Sequence, residues 1–197
     1  MANVSADTAP PDPAVPDTAR PDPAGRDVGT QWAIAAAHGD PVAQAAFVRH
    51  TQAGLWRLAA ALVEPSAADD LVQETYLRAF RALPSFEARA TARTWLFGIA
   101  RRVCADHLRA VTRRRRLEAL LSRQRAATQE PDPAGAVGAA DLVRALAPER
   151  RSALVLTQVI GLSYEEAATV EGVPIGTIRS RVARARADLI KALGDTR

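Results

Sequence analysis

The residues from Ile175 to Leu193 divide by type at helical spacing. At about 100° per residue, Ile178, Val182, Ala185, Leu189 and Leu193 share one face. Thr177, Ser180, Arg184 and Lys191 fall on the opposite face, with Arg179, Arg181 and Arg186 along the flanks. A helix so divided docks by its inner face and offers long donors from its outer one. Guanidinium groups bind guanine edges by paired hydrogen bonds, and hydroxyls reach phosphate or a base edge. The plainer reading is a solvated, arginine-rich helix end whose charge complements the macrodipole. The residues upstream favour DNA. Ser163-Tyr164-Glu165-Glu166 is an S-x-x-E capping box, its helix ends at Gly172, and Pro174 opens the next. Two helices joined by Glu171-Gly172-Val173-Pro174 make a helix-turn-helix.

A second cluster lies between Arg101 and Arg125, with nine arginines against two acids. Arg102, Arg109, Arg113 and Arg116 fall on one side of a helix, away from its apolar stripe, as a phosphate-tracking surface requires. The alternative is a solvated helix end in which Asp106 pairs with Arg102 and Arg109.

Asp69, Asp70 and Glu74 invite an enzymatic reading as paired carboxylates. Their position in the first turns of a helix, with Ser66 as cap and Asp69 completing an approximate box, accounts for two of them. Glu74 and Arg78 form an i,i+4 pair. Asp70, Gln73, Glu74 and Arg78 leave a polar face suited to docking a protein, opposite Leu71, Val72, Phe80 and Leu83. Cys104 and His107 have metal-ligand spacing but lack a second pair, so they read as packing residues, and Trp56 and Trp95 as core anchors. No metal set, nucleophile–base pair or phosphate-binding glycine loop is present, and no cofactor is expected.

These surfaces need helices to position them. The composition is 48% hydrophobic but only 5% aromatic, and an alanine- and leucine-rich core suits closely packed helices better than a sheet. A single cysteine excludes an internal disulfide framework, and no apolar run approaches the ~20 residues of a membrane span. The expected fold is all-α: two small helical domains joined by a flexible linker, the C-terminal one a helix-turn-helix. Residues 1–29 hold six of the 13 prolines and five spaced aspartates and are expected to be a disordered tail. Domains are expected at 30–123 and 139–197, with a Pro/Gly-interrupted linker over 124–138. In the first domain the apolar stripe Leu96, Ile99, Ala100, Val103, Cys104 and Val111 marks a long helix from about Thr91 to Leu121, after a helix that Pro84 ends.

Together the motifs resemble bacterial sigma factors of the extracytoplasmic-function class. Ala68-Asp69-Asp70-Leu71-Val72-Gln73-Glu74-Thr75-Tyr76-Leu77-Arg78-Ala79 is similar to their polymerase-binding segment. Thr94-Trp95-Leu96-Phe97-Gly98-Ile99-Ala100-Arg101, followed by Ala105-Asp106-His107-Leu108-Arg109, is similar to their promoter-melting helix. Leu162–Ala168 and Pro174–Arg186 resemble their C-terminal helix-turn-helix.

The resemblance implies a cytoplasmic, non-enzymatic factor that binds core RNA polymerase, at a coiled coil of the largest subunit and at the flap, and promoter DNA. It implies an anti-sigma factor as a further candidate partner. Asp69, Asp70, Gln73, Glu74 and Arg78 would face polymerase. The loop Pro84–Arg93 would capture an unstacked base, and Arg89, Arg93, Arg101, Arg102 and Arg109 would contact −10 DNA. Thr177, Arg179, Ser180, Arg181 and Arg184 would contact the −35 element. A stand-alone helix-turn-helix regulator would lack a use for the acidic face.

Overall fold

A computed structural model describes residues 25–122 and 138–195, so the expectations for most of the N-terminal tail and for nearly all of the linker lie outside the described residues. The described residues form eight α-helices and no strand. Helix α1 (Val28–Ala37) begins inside the segment expected to be disordered. The Asp27 carboxylate accepts from Thr30 N (3.1 Å) and Thr30 Oγ1 (2.6 Å). That hydroxyl in turn accepts from Ala92 N at 2.9 Å, pinning α1 to the start of α4. A local cap with a long-range partner thus orders five residues that composition alone assigned to the tail.

Gly39, at φ +90°, turns the chain into α2 (Pro41–Leu62), which Asp40 caps through Val42 N and Ala43 N. Helix α3 (Pro65–Ala82) starts two residues earlier than a Ser66 cap would allow. Pro65 takes its first turn, Glu64 is the N-cap without a side-chain bond, and Asp69 bonds Trp56 instead. A short 3₁₀ turn, Leu83–Ser85, ends α3 at Pro84, and α4 (Ala92–Ser122) follows as the long helix.

Phe47, Leu55, Leu58, Leu96, Phe97 and Val103 are fully enclosed between these helices. Removing such side chains from water is worth about 1.5–3 kcal/mol each.

The second module comprises α5 (Ala139–Ala145), α6 (Pro148–Leu154), α7 (Tyr164–Glu171) and α8 (Ile175–Asp195). After α6 a wide, π-type turn over Val155–Val159 leads to Gly161 at φ +78°. The capping box is present in full: Ser163 Oγ accepts from Glu166 N at 3.1 Å and Glu166 Oε2 from Ser163 N at 2.8 Å. Ile178, Val182 and Ala185 of α8 are buried, but the expected stripe stops short: Leu193 is 56% exposed, because α8 extends beyond the helices it packs on.

The two modules are not held apart. Their buried residues form one continuous cluster, with α7 lying along α4. Thr94 Oγ1 donates to Glu166 Oε1 (3.0 Å), Arg93 to the Ile160 carbonyl, and Arg151 Nη1 to the Leu62 carbonyl (3.1 Å).

Candidate polymerase and promoter interfaces

The acidic face is built from three helices. Asp69, Asp70 and Gln73 are exposed on α3, where Arg78 Nε binds Glu74 Oε1 at 2.7 Å and Arg78 Nη1 reaches Asp106 Oδ2 of α4 at 3.3 Å. These bonds raise the Arg78 pKa and hold the guanidinium flat on the face. Asp106 pairs with Arg78 and Arg109 (3.0 Å) rather than with Arg102, whose guanidinium has no partner among the described residues.

Trp56 is 44% exposed and donates from Nε1 to Asp69 Oδ1 at 3.0 Å, so it borders this face instead of anchoring the core. Leu77, 54% exposed, adds an apolar centre that the sequence reading did not single out. Its spacing of four from Gln73 and three from Glu74 was the available signal.

The loop after α3 holds the one non-glycine residue with positive φ among the described residues, Ala88 at +54°. L-residues avoid this left-handed region at a cost of about 1–2 kcal/mol. Beside it, Phe86 and Trp95 pack with ring centroids 5.0 Å apart, forming one wall of a cleft of about 340 Å³ that Arg89 and Arg102 also line. Thr169 and Val170 of α7 complete that cleft. Trp95 is therefore half-buried at a cleft wall rather than enclosed in the core.

The candidate DNA-binding arginines separate into two groups. Arg102, Arg179 and Arg184 are exposed and without partners among the described residues, Arg109 is exposed beside Asp106, and Arg89 pairs with Glu87 at the surface. Arg93, Arg101 and Arg181 are engaged internally. Arg93 lies 5.4 Å over the Phe97 ring. Arg101 Nε and Nη2 donate to the two oxygens of Glu171 (both 3.1 Å), and Arg181 Nη1 donates to Glu171 Oε2 (3.3 Å). The Glu171 side chain is wholly enclosed, and Ser152 Oγ also donates to it. Sequence reading treated Glu171 as a turn residue only.

On α8, Ser180 is exposed and donates to the Thr177 carbonyl at 2.9 Å, while Arg186 Nη2 binds Gln158 Oε1 at 2.8 Å and ties the helix to the wide turn. Gly172, at φ +66°, makes the tight turn between α7 and α8. The geometry is that of a helix-turn-helix with Arg179, Ser180 and Arg184 outward.

Burial pushes the Cys104 thiol up to about 11. Among the described residues no cluster of His, Cys, Asp or Glu is arranged to hold a metal, and no helix is long and apolar enough to cross a membrane.

Residues 47–115 match the Sigma-70 region 2 family and residues 139–189 match Sigma-70, region 4. The chain belongs to the sigma-70 family of RNA polymerase sigma factors. Within it, the chain falls in the extracytoplasmic-function class. It is 48% identical over 167 residues to the ECF RNA polymerase sigma factor SigC of Mycobacterium tuberculosis, across 82% of this chain and 89% of that protein. It is 36% identical over 176 residues to the ECF sigma factor SigE of Mycolicibacterium smegmatis, across 83% and 67% respectively.

Among solved structures, CnrH in complex with the cytosolic domain of CnrY superposes with a TM-score of 0.67 at 28% identity, covering 86% of this chain and 99% of that one. The sigma factor RpoE of Bartonella quintana, bound to the anti-sigma factor NepR, gives 0.58 at 30% identity, covering 76% and 96%. The chain is thus a sigma factor: it binds core RNA polymerase and directs promoter-specific transcription initiation.

Proposed function

We propose that this sigma function is divided by surface, with residues 30–123 acting as the polymerase-binding and −10 module and 139–197 as the −35 module. The face of Asp69, Asp70, Gln73, Glu74 and Arg78, centred on Leu77, docks on the largest-subunit coiled coil, and the second module meets the flap. Once α7 moves off it, the Phe86–Trp95 wall takes an unstacked −10 base; Arg89, Arg102 and Arg109 steady its strand, joined by Arg93 and Arg101 when these leave Ile160 and Glu171. Arg179, Ser180 and Arg184 read the −35 edges, with Thr177 on phosphate and Arg181 joining it only on release from Glu171. The protein works in the cytoplasm, catalyses no reaction itself, and is a target for an anti-sigma factor, as RpoE of Bartonella quintana is for NepR.

The observation that carries this reading is the contrast along α8. Ile178, Val182 and Ala185 are buried, while Arg179, Ser180 and Arg184 are exposed on the opposite side. A merely solvated helix end would not need the turn and capping box that fix its orientation. The test is charge reversal of Asp70 and Glu74 to lysine. These positions are exposed or half-exposed, so the variant should keep its melting temperature and its affinity for −35 duplex while losing assembly with core polymerase. Equal loss of both activities would refute the division.

A further inference from the structure

Between α4 and α6 lies a second, larger cleft of about 690 Å³, within the range of small-ligand sites. Its floor is apolar, formed by Leu62, Cys104, Ala105 and Leu108. Five arginines line it: Arg101 is held by Glu171 and Arg109 by Asp106, while Arg113, Arg116 and Arg151 have no carboxylate within ion-pair distance among the described residues, and Glu149 is the one acid in the lining.

Arg113 and Arg116 are exposed and unpaired among the described residues. Arg151 is the telling one. Its guanidinium is half-buried and binds only backbone carbonyls, those of Leu62, Leu146 and Arg144, and its buried Nε has no acceptor. Burial first, and then the neighbouring Arg144 charge, lower its pKa against the opposing pull of the Glu64 carboxylate. An anion in the cleft would meet the free guanidinium groups of Arg113 and Arg116, whose forks match phosphate.

We propose that this cleft binds a small polyphosphate ligand of the nucleoside polyphosphate class. The phosphates lie along Arg109, Arg113 and Arg116 towards Arg151, and the planar base covers the Leu62–Leu108 floor. Because α4 belongs to the first module and α6 to the second, the ligand binds only when the two are packed together. Occupancy therefore favours the closed arrangement. In that arrangement Thr169 and Val170 wall the Phe86–Trp95 cleft and Arg101 stays on Glu171, so the ligand opposes −10 strand binding. The site itself stands on the cleft geometry. Only this regulatory consequence rests on the assignment of the −10 surface.

The experiment uses the full chain without polymerase, so the site and the sigma reading fail separately. Isothermal titration at physiological salt is run with ATP, GTP and inorganic triphosphate. The expected result is saturable one-to-one binding of a nucleotide at about 100 μM or tighter, with inorganic triphosphate about tenfold weaker for want of the base. The R113A/R116A double variant, altered only at exposed positions, should lose about tenfold or more, while R184A, on α8 outside the cleft lining, should lose none.

No saturable binding below millimolar concentration overturns the site. Inorganic triphosphate binding as tightly as the nucleotides overturns the nucleoside class. Equal loss in R184A means unspecific polyanion binding and overturns the proposal as well. For the consequence, saturating nucleotide should weaken binding of a −10 non-template single strand severalfold, and unchanged strand affinity overturns the coupling.

Discussion

Replacing Arg184 by alanine isolates the base-reading role of α8. Arg184 is exposed and has no partner among the described residues, so its removal breaks no folding contact. Substitutions of that kind change stability by less than about 0.5 kcal/mol, or about 2 °C in a chain of this size. A guanidinium bound to a guanine edge is worth about 1–3 kcal/mol, which converts to roughly 5- to 150-fold in affinity. The assay is fluorescence anisotropy of the full chain on a −35 duplex and on single-base variants of it, each across a salt series. Three results are expected together: a drop within that range, relaxed discrimination at one base pair, and an unchanged salt slope. A drop equal for every sequence, with the slope shallower by about 0.9, would make Arg184 a phosphate anchor. No drop at all would refute the outward face of α8 as the reader. Arg181→Ala is the contrast. It removes a donor from the enclosed Glu171 carboxylate, so its melting temperature should fall by more than that of R184A.

Two further outcomes follow from the first module. Ala88→Gly relieves a left-handed backbone at φ +54°, and against the roughly 0.5–1 kcal/mol that glycine loses in the unfolded chain it should leave a net gain of about 0.5 kcal/mol. Urea unfolding reads it, and a loss of stability would contradict the strain. For Cys104, burial raises the folded-state pKa from 9.0 to about 11, so the neutral thiol is favoured in the native chain. Its contribution is fully present below the ordinary thiol pKa and is lost as pH rises from about 9 towards 11. Iodoacetamide at pH 8 should therefore label the unfolded chain much faster than the native one, and equal rates would show that the thiol is not enclosed.

Local features of the chain were readable from residue order. The Ser163–Glu166 box, the Gly172 turn and the buried Ile178–Ala185 face each depend on neighbours within one or two helical turns, and the structure has all three. Non-local features were not. Whether Trp56 is enclosed depends on Asp69, thirteen residues away and on another helix. Glu171 gathers Arg101, Ser152 and Arg181, which are 70, 19 and 10 residues distant, and no periodicity links them. Periodicity also says which face of α4 and α7 is apolar but not that the two meet. Composition misjudged residues 25–29 because one carboxylate and one hydroxyl, Asp27 and Thr30, outweigh the surrounding proline-rich character. Of the candidate promoter contacts, sequence supplied the arginines, and only the structure separates the free ones from those engaged internally.

The central claim is that this chain carries both polymerase-binding and promoter-reading surfaces. Run-off transcription with purified core RNA polymerase, the full chain and a library of promoter fragments tests it most directly. Specific initiation is expected that needs the chain, that fails with the Asp70/Glu74 reversal even on strong promoters, and that shifts promoter preference with R184A. Tight, sequence-specific duplex binding by the chain alone, with no initiation at any fragment in the presence of core polymerase, would contradict it.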